Sequence, residues 1–405
     1  MVSGHWSFLK DVMFLGAAAF GGPQSHLALF QKRLVKEKNY LSFEELMEIH
    51  SFCHVLPGPS STQLLTVVGL RRGGPPLAIL TLLAWALPGA IILTVLTLSP
   101  RFLGSRQLSY LPALVMAYLL TGSMFMLKSM RKGGLYLGIA ALALIAVLFF
   151  PAPWLFPLGI IVGGMASSLF GNRKFTPNNE QFGPIRWANF SLYLGIFLFI
   201  GFLGQLQFLF PTTAAFTQPF TLFENTYRMG SLVFGGGNTL VPMALEQYVK
   251  HKPRMSNEEF NTGLGLLQAM PGPVFNISVY FNGIAMKNFG YGLPGQLLGC
   301  IIGFVGIFLP GLLFVFFVHP IWGRLKRYPI MMRALDGIIA AATGFVLSAL
   351  VVMILLLCDK SPQVFTNYTW WIVFAGSAVY LNKSRLPTPV LVILVILVGY
   401  LFPPA

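Results

Sequence analysis

Long apolar runs broken by short polar stretches dominate the chain from end to end. Leu135–Phe150, Phe190–Phe210 and Leu391–Phe402 contain no charged residue at all. About 20 apolar residues are needed to cross the hydrocarbon core. Thirteen segments approach that length: 8–31, 46–69, 77–98, 108–128, 134–150, 153–170, 188–210, 226–246, 260–284, 293–318, 334–357, 366–381 and 387–403. The pattern predicts an all-α, polytopic integral membrane protein. A polar linker, Gly171–Arg186, separates the sixth segment from the seventh. It divides the chain into a first half, residues 1–186 with the linker, and a second half, residues 187–405. Met1–Leu9 is short and mixed, and Gly21-Gly22-Pro23 interrupts the apolar stretch that follows. A cleavable signal would be uniformly apolar there, so the first segment is expected to be retained.

The two halves repeat. A shift of 214 residues lays Phe20-Gly21-Gly22 on Phe234-Gly235-Gly236 and Pro57-Gly58-Pro59 on Pro271-Gly272-Pro273. Val35, Lys36, Lys38, Ser42, Glu44, Glu45 and Gly69 also fall on identical residues, giving 13 identities in the 50 positions from Phe20 to Gly69. After a short gap, Leu87-Pro88-Gly89 meets Leu309-Pro310-Gly311. The copies start seven segments apart, an odd number, so they are expected to face opposite ways as two inverted structural repeats.

Charge refines this topology. The chain has 405 residues, 55% hydrophobic and 10% charged, with mean hydropathy +0.72; a soluble domain carries about 25% charged residues. A net charge of +15 could suggest nucleic acid. The cations instead cap apolar segments, as in Arg71-Arg72, Arg131-Lys132 and Arg173-Lys174. That placement marks cytoplasmic loops and anionic lipid headgroups and excludes a nucleic-acid face. With the N-terminus inside, 18 of the 27 Lys and Arg fall in inside loops. Lys32, Arg33, Lys36 and Lys38 are the exception, and they move inside if the first two segments of each copy are re-entrant. Both versions stay open at this level. Cys53, Cys300 and Cys358 lack CxxC spacing and read as packed helix residues. Neither a metal nor a cofactor is expected.

Candidate chemistry lies where Gly and Pro interrupt apolar segments. Proline removes a backbone donor and clashes with the preceding turn, so Gly21-Gly22-Pro23 and Pro57-Gly58-Pro59 should break their helices. Freed backbone groups are tolerated in a membrane only when buried in protein or lining an aqueous cavity. Half-helix N-termini there offer N–H groups and partial positive charge to an anion. Small polar residues follow each break: Gln24, Ser25 and His26; Ser60, Ser61, Thr62 and Gln63; Asn238 and Thr239 after Gly235-Gly236-Gly237; Asn276 after Pro271-Gly272-Pro273. A single such break is more often a structural kink, but four in repeated register point to a binding site for an oxyanion. Asp11, Glu246 and Asp336 lie in or near apolar stretches, and Asp336 is placed deepest by sequence. Membrane carboxylates are costly and often functional, so Asp336 and His26 are candidates for proton coupling. A helical salt bridge from Asp336 to Arg333 is the plainer alternative. Ser42 with Glu45, and Ser256 with Glu259, have capping-box spacing.

These residues resemble a known family. Phe20-Gly-Gly-Pro-Gln-Ser-His26, Pro57-Gly-Pro-Ser-Ser-Thr-Gln63 and Gly69-Leu-Arg-Arg-Gly-Gly74 look like the first half of chromate ion transporters. Phe234-Gly-Gly-Gly-Asn238, Gln268-Ala-Met-Pro-Gly-Pro-Val-Phe275 and Leu309-Pro-Gly311 look like their second half. Ser25 stands where the family more usually has alanine, and Tyr40 where tryptophan is common. The resemblance implies a two-domain secondary transporter of the bacterial inner membrane, surrounded by lipid, that expels chromate and confers chromate resistance. Coupling to the proton gradient in antiport, sulfate as an analogue, and a homodimer are further expectations. The alternatives are a sulfate-like anion importer or exchanger, an anion channel, and a membrane-embedded enzyme. The last has no support from an HExxH, GxSxG or His/Asp/Glu cluster, and no GxxxxGK[ST] motif is present.

Overall fold

A computed structural model describes residues 2–20, 26–27, 29–99, 108–150, 152, 154–172, 187–203, 214–234, 237–251, 253–325, 328–360, 367–383 and 388–402. Its first half contains α1 (Val2–Ala18), α2 (Gln31–Glu37, a π-helix), α3 (Phe43–Val55), α4 (Ser60–Leu98), α5 (Leu111–Ser129), α6 (Gly134–Phe149) and α7 (Leu155–Phe170). The second contains α8 (Trp187–Leu203), α9 (Ala214–Leu232), α10 (Leu240–Leu245, continued by a π-helix over Glu246–His251), α11 (Asn257–Gln268) and α12 (Ile277–Asn288). It closes with α13 (Gly292–Leu325), α14 (Pro329–Lys360), α15 (Tyr368–Lys383) and α16 (Thr388–Leu401). Among the described residues the regular structure is helical, as the long apolar runs require.

The ends of both broken segments of the first half lie together. Arg33 donates to Asp11 at 2.6 Å, and Tyr40 donates to the same carboxylate at 2.6 Å. The Phe8 and Tyr40 rings meet edge to face at 5.2 Å, and the Arg72 guanidinium stacks over both, 5.2 and 4.6 Å from their centroids. The start of α1, the α2–α3 turn and residue 72 therefore lie together. Segments 8–31 and 46–69 enter and return on one side, which is the re-entrant version left open by the sequence. The Lys32, Arg33, Lys36 and Lys38 cluster moves to that side with them.

Gly73 and Gly74 bend α4, and Pro75-Pro76 start its second leg. Residues 75–98 span roughly 36 Å at 1.5 Å per residue, enough to cross a core of about 30 Å. The leg runs antiparallel to α13: the Gln296 amide donates to the Thr97 carbonyl at 2.8 Å, while Arg71 meets His319 at 3.4 Å. Among the described residues four helices are long and apolar enough to cross, in Ser60–Leu98, Leu111–Lys128, Gly292–Trp322 and Pro329–Leu355. Ile91, Val95, Leu142, Phe149, Phe199 and Ile393 face outward, the arrangement expected where lipid is the solvent. α14 packs on α6 and α7, and α15 on α5, flanking the re-entrant elements.

The 214-residue repeat reappears in the contacts. Ser42 and Ser256 cap α3 and α11 with complete capping boxes closed by Glu45 and Glu259. The turn before each is held by Tyr40 N–H to Leu34 O at 2.7 Å and by Arg254 N–H to Tyr248 O at 2.8 Å. A π-helix precedes each turn. In both copies local sequence chemistry, rather than distant packing, sets these features.

Candidate anion site at the facing helix breaks

Each Pro-Gly-Pro break is built around a left-handed glycine, Gly58 at φ +111° and Gly272 at φ +89°. That region strongly favours glycine, and the flanking prolines fix the chain on either side. The Gly58 N–H donates to Val233 O at 2.7 Å, and the Gly272 N–H donates to Ala19 O at 2.8 Å. These two bonds are 214-residue mates. Each Pro-Gly-Pro break is thus pinned to the other half, at the start of that half's Gly-rich break. The Leu-Pro-Gly motifs let this happen. A Cβ on Gly89 would collide with Pro271 O and stand 2.7 Å from Asn276 Nδ2, while one on Gly311 would stand 3.1 Å from Pro59 Cδ.

A narrow cleft with a cavity volume of about 10 Å³, room for about one water, lies where the breaks meet. His26, Pro59, Ser60, Ser61 and Thr62 line it from the first half, and Gly237, Pro273, Val274 and Phe275 from the second. Pro59 and Pro273, Ser60 and Val274, and Ser61 and Phe275 are repeat mates, so equivalent positions of the two halves face one another across it. α4 begins at Ser60, and a 3-10 turn over Val274–Asn276 leads into α12. The first N–H groups of a helix have no intrahelical acceptor, so two partially positive helix starts converge on one space. The two walls differ in side chains. The first half supplies hydroxyls and an imidazole, the second apolar groups.

His26 is 2% exposed and stands edge-on to Trp85, ring centroids 5.1 Å apart. Its Nδ1 lies 3.1 Å from Ser61 Oγ, and its Nε2 is buried without a partner. A buried ring nitrogen left open is costly unless something occupies the space beside it. Trp85 Nε1 donates to Thr62 Oγ1 at 3.2 Å and fixes that hydroxyl.

Other sequence candidates brace the breaks instead of lining the cleft. Gln63 donates to Pro57 O at 2.7 Å, Asn276 to Ala86 O at 3.0 Å, and Thr239 to Phe234 O at 2.7 Å. The amide N–H groups of Gln63 and Asn276, expected to serve an anion, are engaged with backbone carbonyls beside the breaks. Pro57, Gly58, Pro271 and Gly272 likewise shape the breaks. Gly21, Gly22, Pro23, Gln24, Ser25, Gly235 and Gly236 lie outside the described residues, as does the side chain of Asn238. Asp336 lies apart from the cleft. It pairs with Arg131 at 3.3 Å, from the α5–α6 loop, rather than with Arg333. The 333–336 spacing permits a helical pair, but the neighbouring loop offers a guanidinium.

Sequence reasoning missed Trp85, Val274 and Phe275, and also a buried network in which Tyr248 donates to Asn282 at 3.1 Å and Asn282 to Thr226 at 2.9 Å. Position was the only signal available for these: Trp85 precedes Leu87-Pro88-Gly89, and Val274-Phe275 follows Pro-Gly-Pro.

The chromate transporter family model matches residues 6–167 and 220–400. An uncharacterized transporter of Methanocaldococcus jannaschii is 26% identical over 98% of this chain and 92% of its own length. A probable chromate transport protein of Synechococcus elongatus is 25% identical over 98% of this chain and 94% of its own. A chromate transport protein of Pseudomonas aeruginosa is 22% identical over 97% and 90%. No solved structure matches. The two matched stretches each carry one pair of broken segments, and the chain, a multi-pass membrane protein and not an enzyme, belongs to the chromate transporter family.

Proposed function

We propose that this chain is a secondary transporter that carries chromate outward across a bacterial inner membrane, using the proton gradient and conferring chromate resistance. The dianion binds between Ser60–Thr62 and Pro273–Phe275 once the cleft widens from its water-sized volume, with His26 and Ser61 at its side. The observation that carries this reading is the convergence of two helix starts on one buried space beside an unpartnered imidazole nitrogen. A dianion pays heavily for lost hydration. Each helix terminus returns roughly 0.3–1 kcal/mol, and about 2 kcal/mol when partly buried. Compensation spread over termini and neutral donors holds the ion without the tight pairing that would slow its release.

The two halves are proposed to be inverted about an axis in the membrane plane. In support, the re-entrant turns of the first half gather at residues 8, 40 and 72, near the end of α13, whereas those of the second gather at residues 254, 259 and 288, near the end of α4. Rocking of one half against the other would open the cleft alternately to each side. The test is transport of labelled chromate into inside-out vesicles, with and without a proton gradient, in competition with sulfate. Gradient-dependent chromate accumulation is expected. Preferred sulfate movement in the opposite direction would replace efflux with sulfate-like uptake, and flux without accumulation would indicate a channel.

A further inference from the structure

The turn that carries Tyr40 in the first half holds an anion of its own. Asp11 accepts from Arg33 and Tyr40, each at 2.6 Å, and Lys38 stands 3.5 Å away. The second half repeats this turn with different charges. The 214-residue shift lays Asp11 on Asn225, Arg33 on Gln247 and Tyr40 on Arg254. The acid becomes an amide, while a guanidinium remains among the donors at a new position. Local packing is equivalent in the two copies: the Arg254 N–H closes its turn on Tyr248 O as the Tyr40 N–H closes its own on Leu34 O. Asn225 and Arg254 are 3% and 4% exposed, and each keeps a buried donor without a partner, Nδ2 and Nη1 respectively. Among the described residues no carboxylate pairs with Arg254. Glu224 and Arg228 act on it electrostatically, but they are paired with one another at 3.1 Å. A guanidinium buried without a counter-charge is strongly unfavourable.

We infer that Arg254, with Asn225 behind it and Lys287 at the rim, binds a tetrahedral oxyanion at the mouth of the second half. The oxyanion takes the part that the Asp11 carboxylate plays in the first half. Arg254 and Lys287 line a surface cavity of about 700 Å³, ample for such an ion. Two acids share that cavity. Glu259 already accepts from the Ser256 N–H at 2.9 Å and the Asn288 amide at 3.0 Å, and Glu258 is exposed. On its inner side Arg254 stacks over Tyr248, 5.8 Å from the ring centroid. Tyr248 donates to Asn282 at 3.1 Å, and Asn282 to Ser278 O at 3.0 Å, two residues beyond Asn276. The first-half mates of these three, Leu34, Val68 and Leu64, are buried and apolar. The fold therefore does not demand polar groups here, and they mark a route from Arg254 to the helix breaks.

The route rests on the anion-transport reading, and the test separates the two. Sulfate is titrated calorimetrically into the purified full chain carrying His26→Phe, which weakens the cleft site, in detergent free of lipid. Binding is expected to remain. Arg254→Gln in the same background should weaken it roughly 10- to 150-fold, the loss of one bond to a charged group. Asn225→Asp restores the carboxylate of the first half, so it should pair with Arg254 and abolish the binding. Sulfate affinity unchanged in Asn225→Asp, or in a folded Arg254→Gln chain, would overturn the inference. If sulfate does not bind in the His26→Phe background, phosphatidylglycerol added to the detergent should raise the melting temperature of that chain but not of its Asn225→Asp variant. That result would make a lipid phosphate the occupant, and no response to either ligand would overturn the inference. Sulfate binding lost with Arg254→Gln, in a chain that moves no chromate in vesicles, would support the site while defeating the transport reading.

Discussion

Gly89→Ala puts the facing of the two breaks to a direct test. The added methyl would occupy the place of Pro271 O and approach Asn276 Nδ2 at 2.7 Å. Neither neighbour yields easily, because the carbonyl belongs to a proline-locked turn and the amide is bonded to Ala86 O at 3.0 Å. Overpacking of this kind costs roughly 1–3 kcal/mol. The strain should push Pro271–Phe275 away from Ser60–Thr62, loosening one helix start from the anion. Losing one contact to a charged group costs about 1.5–3 kcal/mol, or roughly 10- to 150-fold in affinity at about 1.4 kcal/mol per tenfold. The equivalent change on the other side, Gly311→Ala, meets Pro59 Cδ at 3.1 Å and the Gln63 amide at 3.4 Å. Those contacts are tight but not overlapping, so it should weaken binding less. Gly138→Ala meets nothing within 4 Å and serves as the control. Calorimetric sulfate binding to purified protein, with thermal melting to monitor folding, reads the series. Wild-type affinity in a stably folded Gly89→Ala protein would refute the claim that the two breaks must stand opposed.

His26→Phe keeps the ring beside Trp85 but removes both nitrogens, so sulfate affinity should fall by about 1.5–3 kcal/mol with melting little changed; unaltered affinity would remove His26 from the site. Asp336→Asn breaks a partly exposed pair worth roughly 0.2–1 kcal/mol of stability, and the pH dependence of vesicle transport should survive; its loss would bring Asp336 back as a coupling group. Lys36→Cys and Lys287→Cys, in a background without native cysteines, should react with an impermeant maleimide from opposite sides of the membrane. Labelling of both from one side would defeat the inverted arrangement.

Much of the architecture was legible without coordinates, because a membrane makes local chemistry unusually binding. Uncharged runs have few alternatives to helix in lipid, so α6, α7, α8 and α16 follow from composition along the chain. Pro-Gly-Pro cannot continue a helix, so the breaks at Pro57–Pro59 and Pro271–Pro273 follow from covalent structure. Ser42 and Ser256 cap their helices with residues three positions on, contacts too short-ranged for the rest of the fold to override. What depended on tertiary structure was the identity of the opposing atoms. Gln63 and Ser61 looked equally suited to an anion, yet the amide of Gln63 is drawn to the Pro57 carbonyl at the break while Ser61 lines the cleft. Asp336 has Arg333 within helical reach and pairs instead with Arg131, more than 200 residues away. Glu246 and Asp336 look alike in sequence, and only packing shows which carboxylate is left with an open oxygen. Segment direction was undecided for the same reason: a broken apolar run is long enough either to cross or to return, and contacts such as Asp11 with Arg33 determine which. Periodicity and proline chemistry act within a few residues, whereas solvation of a polar atom depends on whatever the fold brings beside it.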